Sequence, residues 1–180
     1  DTNNIDEVII KGAIHSDISD NLNIKFSALL TDIDNGFDAF SLNNNRMTTS
    51  DQPGSDTQET IAVSLAAVWN TNLSFDVEAI LSAADTDTLY SFDEDWSYIG
   101  EFDDDLGPYS SADHYERDRE NESIDIQLIS KADQKIMNDR TDWVLGIYQR
   151  SEEALNRSRS KDLLPQVDDE FSSQFDTDNY

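Results

Sequence analysis

Apolar and polar residues alternate with period two along most of this chain, and the helical period is nearly absent. DEVIIKGAIHS sets Val8, Ile10, Gly12 and Ile14 on one face, with Lys11, Ala13 and His15 on the other. After a short turn at 19–21, LNIKFSALL sets Leu22, Ile24, Phe26, Ala28 and Leu30 against Asn23, Lys25 and Ser27, in a strand running to about Asp34. ETIAVSLAAVW opposes Ile61, Val63, Leu65, Ala67 and Trp69 to Thr60, Ala62, Ser64 and Ala66. After a turn at 70–72, LSFDVEAILSA opposes Leu73, Phe75, Val77, Ala79 and Leu81 to Ser74, Asp76, Glu78 and Ser82. ESIDIQLIS and TDWVLGIYQ, with a turn around Ala132–Asp139 between them, complete about six strands. Two long polar inserts, 35–58 and roughly 85–120, alternate with the short turns, and a polar tail follows from about Ser151, broken by Leu163-Leu164-Pro165. In an up-and-down antiparallel sheet every second connection lies at the same end. The long connections therefore leave one rim and the tight turns the other.

Composition narrows the choice of partners. The chain has 180 residues, room for one domain, and a 37% apolar content below the usual share. Acids outnumber bases 39 to 12, for a net charge of -27. That balance argues against nucleic acid as a partner, because phosphate binding needs Lys and Arg. It also argues against docking on anionic lipid headgroups. Cysteine is absent, which leaves the redox compartment open. No apolar stretch reaches the length of a membrane helix, so a membrane role would need strands.

A soluble sandwich also has strands with one apolar face. The apolar runs here extend for about 9–11 residues, the length that crosses a bilayer at a tilt, where sandwich strands are typically about 5–6 residues. Trp69, Phe75 and Trp143 lie close to the short-turn end, where an aromatic girdle would sit. The pattern predicts that Leu22, Ile24, Phe26, Val63, Leu65, Phe75, Val77, Ile126 and Leu145 share the outward face of one curved antiparallel sheet. The competing expectation is a soluble secreted β-sandwich that binds glycan or calcium through its acidic loops.

The runs ALLTDIDNGFDAFSLNNNRMTTSDQPGSDTQE, SFDEDWSYIG, PYSSADHYERDRENESIDIQLIS and RTDWVLGIYQ resemble the barrel region of a TonB-dependent receptor of a Gram-negative bacterium. The tail FSSQFDTDNY resembles the approach to a following strand of such a barrel. The resemblance covers nearly all of residues 5 to 180 in order. It implies an all-β fold, an antiparallel up-and-down transmembrane β-barrel segment with short periplasmic turns and long extracellular loops. It further implies residence in the cell outer membrane, contact with its lipid, a plug domain of the receptor's own, energy from a TonB complex, and a transported small-molecule ligand. Such ligands include siderophore–iron chelates, cobalamin and glycans. No plug and no TonB-binding segment is visible in residues 1–180, which read as an internal piece of one barrel domain.

Candidate chemistry is sparse. DIDNG at 32–36 begins like a calcium loop, but its twelfth position is Asn43 rather than a Glu, so the motif fails. EFDDDLG at 101–107 packs Asp103, Asp104 and Asp105 together, a pattern more often simply solvated. FDEDW lacks the cleft that paired catalytic carboxylates require. His15 and His114 are not spaced as a zinc pair, and no nucleophile or phosphate-loop motif is present. The reading assigns no catalytic residue, cofactor or resident metal. Lys25, Asp76, Glu78, Asp125 and Gln127 are expected to face the barrel lumen. Phe37, Phe40, Trp96, Tyr98 and Tyr109 are the loop residues expected to touch a ligand.

Overall fold

The protein is seen in a computed structural model that describes residues 4–37, 40–101, 103–104, 107–108, 110–162 and 167–179. The strands are β1 (Glu7–Ser19), β2 (Leu22–Phe37), β3 (Gly54–Trp69), β4 (Phe75–Asp93), β5 (Asp103–Asp104), β6 (Gly107–Pro108), β7 (Ser111–Ser130), β8 (Val144–Asp162) and β9 (Val167–Asn179). Seven of them form one antiparallel sheet in the order β1-β2-β3-β4-β7-β8-β9, and β5 pairs only with β6. Each strand of the sheet lies beside the next one along it, so the sheet is an up-and-down meander. It is open, since β1 and β9 do not pair. The helical content is one turn, α1 (Ile136–Asp139), in which Met137 and Asn138 have left-handed φ of 52° and 59°. No helix among the described residues is long and apolar enough to cross a membrane, which says nothing about strands.

Register assigns the two faces. Residues directly opposite in an antiparallel pair point the same way. One row across the sheet is Ile14, Phe26, Leu65, Leu81, Ile124 and Gln149. The next row, one residue along and on the other face, is Ala13, Ser27, Ser64, Ser82, Ser123 and Arg150. All nine residues expected to share an apolar face do share one, by the same register. Ser82 and Ser123 hydroxyls meet at 2.7 Å across the opposite face.

Nothing among the described residues covers the apolar face. Among the described residues the only buried hydrophobic side chains are Ala112 and Ala154, and no second sheet packs on the first. Phe26, Leu65 and Leu81, in the middle of the apolar row, are 43%, 40% and 46% exposed. A continuous apolar surface of this extent requires an apolar partner.

The structure corrects the expected boundaries. The sheet strands are 13 to 20 residues long, well beyond the 9–11 read from the apolar runs. β2 continues through Asn35-Gly36, which pairs with Asp56 and Ser55 and is no turn. The second insert is largely strand as well, because β4 runs to Asp93 and β7 starts at Ser111. The long connections shrink to 38–53 and 94–110, the latter holding the β5–β6 ribbon. The polar tail is the second half of β8 and then β9, a seventh strand, with 163–166 between them. Leu163, Leu164 and Pro165 lie outside the described residues. The physical reason is common to all of these. Beyond the apolar band acids and hydroxyls occupy both faces, with a few aromatics set among them, so a clear period two fades from the sequence while backbone pairing already established simply propagates. The connection around 132–139 also widens, to 131–143.

The short-turn rim is tied by one lysine. Lys131 Nζ lies 3.3 Å from Asp76 Oδ1 and donates to the Thr71 carbonyl. Asp76 Oδ1 in turn accepts from the Thr71 N–H at 3.0 Å. Both charged side chains are mostly sheltered, so the pair is less screened than an open surface pair. Lys131→Met should lower stability by about 1–2 kcal/mol, while Lys131→Arg should retain most of it. Urea midpoints of the two variants check this, and a Met variant equal to wild type would remove the assigned role.

Candidate functional site at the long-loop rim

The long-loop rim carries an aromatic cluster on the same face as Lys25. Period two sets Tyr90 and Phe92 on that face of β4, and pairing puts Tyr115 of β7 directly opposite Tyr90. Phe92 and Tyr115 stack with centroids 6.3 Å apart, and Tyr90 lies 5.6 Å from Phe92. Phe37, the last residue of β2, reaches Tyr90 at 5.0 Å and Phe40 at 6.3 Å. Phe40 stacks on Trp96 at 4.8 Å and 16°, joining the two long connections. Trp96 holds a φ of 55°, a costly conformation for a bulky residue, and the surrounding contacts must sustain it.

Of the residues expected to touch a ligand, Phe37, Phe40 and Trp96 are brought together. Tyr98 stands apart, exposed and bonded to Glu101, which raises its pKa. Tyr109 lies outside the described residues. Sequence reading missed Tyr90, Phe92 and Tyr115. Each stands among acids and hydroxyls, in TLYSFD and DHYERD, within the stretch that reads as the second polar insert. Burial, then a nearby carboxylate (Asp56 for Tyr90, Asp113 for Tyr115), raises the pKa of each phenol, so both remain neutral hydroxyls at neutral pH. Tyr115 donates to Asp113 Oδ2 at 3.2 Å.

Close to the rings in sequence lies a polar cluster in which Asp93, Ser97 and Ser110 are buried and Asp51 is exposed. Asp51 N–H donates to Asp93 Oδ2 at 3.2 Å and to the Ser97 carbonyl at 2.9 Å. Asp51 carboxylate oxygens accept from Ile99 N–H at 2.9 Å and Ser110 Oγ at 3.2 Å, and Gln52 Nε2 donates to Ser110 Oγ. Ser97 N–H donates to Asp95 Oδ1 at 3.1 Å. Burial, and next the facing Asp93 carboxyl, push the Asp95 carboxyl up to about 6. Among the described residues no three His, Cys, Asp or Glu side chains converge as a metal cluster. Asp103 and Asp104 form part of the β5–β6 ribbon, away from the main sheet's ladder.

The wall candidates share the ring-bearing face. Glu78 lies opposite Gln127, and Asp125 accepts from Gln127 Nε2 at 3.2 and 3.0 Å. Asp76 is drawn into the Lys131 tie, a structural role. Lys25 sits in the row of Ala66, Ile80, Asp125 and Tyr148, well down the strands from the rings. The five therefore line one surface without forming one site. In comparisons with known proteins, no family model matches the chain, and no curated protein or solved structure matches it.

Proposed function

We propose that this chain is part of the wall and outer rim of an outer-membrane β-barrel, within a TonB-dependent receptor that takes up a scarce ligand. The observation that carries the membrane reading is the border of the apolar face. Moving from the short-turn rim, the first charged residue on that face is Asp32 in β2, Glu59 in β3, Asp85 in β4 and Glu122 in β7. Asp32 and Glu59 are level in the ladder, but Glu122 is level with Ala28. The border thus drops by four residues from Asp32 to Ala28, about 13 Å, across three strand spacings of about 4.8 Å each. That slope is about 43°, matching the tilt of strands in a membrane barrel, about 35–45°. On β8 the border is polar first, at Gln149 and Ser151, before Glu153.

A soluble sheet has no reason to align its charge border at an angle to its strands. A bilayer does, because its surface is flat and the strands cross it tilted. Below the border, 61 to 69 on β3 spans about 30 Å of strand, or about 21 Å of height at such a tilt, close to the apolar band of about 25 Å. Trp69, Phe75 and Trp143 end the band at the short-turn side, with Phe75 and Trp143 in edge contact at 6.1 Å. The receptor part of the proposal rests on the sequence resemblance and on the ring cluster at the long-loop rim, where a ligand would arrive.

Single-cysteine labelling tests the membrane reading cleanly, since the chain has no cysteine of its own. Spin labels at Val63, Leu65 and Leu81 should be accessible to oxygen dissolved in lipid and shielded from a water-soluble nickel chelate. Labels at Ser64 and Ser82 should show the reverse. Equal access of the nickel chelate to both sets would rule out a lipid-facing wall. The receptor reading is checked separately in cells: replacing both Phe40 and Trp96 by Ala should reduce ligand uptake while leaving barrel assembly intact.

A further inference from the structure

We propose that Asp93, Asp95, Ser97 and Ser50 form a calcium site that fastens the two long connections together. The starting point is a concentration of unpartnered oxygen. Among the described residues, the buried side-chain atoms without a hydrogen-bond partner are Ser50 Oγ, Asp93 Oδ1, Asp95 Oδ2, Ser97 Oγ and Arg119 Nε. All four oxygens belong to the segments that meet where the Asp51 N–H binds the Ser97 carbonyl and Asp93 Oδ2. Asp93 is 3% exposed and Ser97 0%. An unpaired buried carboxylate oxygen is costly, and native structures rarely leave one.

Both carboxyl groups converge on the Asp51 and Ser97 backbones: Asp93 Oδ2 accepts from Asp51 N–H and Asp95 Oδ1 from Ser97 N–H. Ionised carboxylates only accept, so two of them held in one sheltered site are relieved by a proton or a cation between them. The donor set is all oxygen and mixes carboxylate with hydroxyl, which is the chemistry of a hard cation. Calcium accepts six to eight such ligands in loose geometry and completes its shell with carbonyls and water. Magnesium demands a tighter octahedron than two loops can offer. The position explains what the ion would do. Ser50 lies in the 38–53 connection, Asp93 ends β4, and Asp95 and Ser97 lie in the 94–110 connection. Backbone bonds from Asp51 to Ser97 and Asp93 already bring these segments together.

The test uses the purified full-length protein in detergent, with terbium as the probe and calcium as the competitor. Trp96, between two of the donors in sequence, should sensitise terbium emission when tryptophan is excited. The expected result is saturable emission, reversed by calcium at about 10⁻⁴ to 10⁻³ M. Asp93→Asn with Asp95→Asn should weaken binding at least about tenfold. Asp87→Asn, on β4 outside the cluster, should not. Ser97→Ala should weaken binding less than the double variant does. Trp96→Phe should dim the emission without changing calcium affinity measured by calorimetry. Calcium should also raise the melting temperature of the wild type, a readout that needs no variant to fold. The proposal is overturned by absence of saturable binding, which would assign the four oxygens to water or a shared proton. It is equally overturned if Asp87→Asn weakens binding as much as the double variant, which would mark diffuse attraction to an acidic chain.

Discussion

Leu65→Arg should remove about 2–4 kcal/mol of folding stability when the protein is measured in a lipid bilayer. Leu65 is the midpoint of the 61–69 stretch on β3, with Phe26 on one side and Leu81 on the other in the same row. Leu65 is 40% exposed in the isolated sheet, and its row from Ile14 to Ile124 is apolar throughout. An arginine at that depth must bend toward the nearest polar border or drag water in, and both cost free energy. Ser64→Arg is the internal control. It sits one residue away on the opposite face, in the row of Ser27, Ser82 and Ser123, and should cost far less. Reversible urea unfolding in lipid vesicles measures both. A Leu65→Arg cost below about 0.5 kcal/mol, or equal to that of Ser64→Arg, would mean that lipid does not touch this face.

Gly54→Ala should cost about 2–3 kcal/mol, more than the same change at Gly12 or Gly146. Gly54 opens β3 and pairs with Phe37. A Cβ there would overlap the carbonyl oxygens of Ser91 and Phe37 and come within 3.0 Å of Phe92 Cα. All three atoms are backbone, so no side chain can swing aside. The ladder itself must part, and it parts where Phe37 and Phe92 contribute rings to the aromatic cluster. Hydrogen exchange should therefore show lost protection around Phe37 and Ser91 before any global change. The other glycines grade the effect. Gly146→Ala meets Ile126 O at 3.2 Å and the flexible Gln127 Cγ at 3.3 Å, a milder conflict. Gly12→Ala meets nothing within 4 Å and should stay within about 0.5 kcal/mol of wild type. A Gly54→Ala protein as stable as Gly12→Ala would show that the strand start has room to relax.

How far the sequence could be read depended on whether one face was apolar. Leu22 to Leu30 and Ile61 to Trp69 announced their strands and their register, because only one phase of the alternation hides the oily side. Phe26, Leu65 and Leu81 could be placed on a common face from spacing alone. Beyond Asp32, Glu59 and Asp85 the same strands became unreadable. Thr57, Asp56 and Ser55 are polar on both faces, and acids are poor strand formers when isolated. They pair because the ladder below them is already built. The same reason hid Tyr90, Phe92 and Tyr115, and with them half of the ring cluster. Phe37, Phe40 and Trp96 could be named as loop aromatics, but their stacking depends on two connections meeting. The buried carboxyl pair was harder still. Asp93 and Asp95 lie among many acids, and nothing in the local spelling separates a buried pair from a solvated one.

The length of the strands has one more consequence. β7 runs from Ser111 to Ser130, but only its last part, from Ile124, lies below the charge border. The remaining stretch, 111–122, continues for about 40 Å along the strand beyond that border, at about 3.4 Å per residue. Tyr90, Phe92 and Tyr115 are therefore mounted on hydrogen-bonded ladder, not on a free loop. A ligand that reaches them meets a surface whose backbone entropy was already surrendered during folding. Such preorganisation lets modest ring contacts hold a ligand without first freezing a mobile segment.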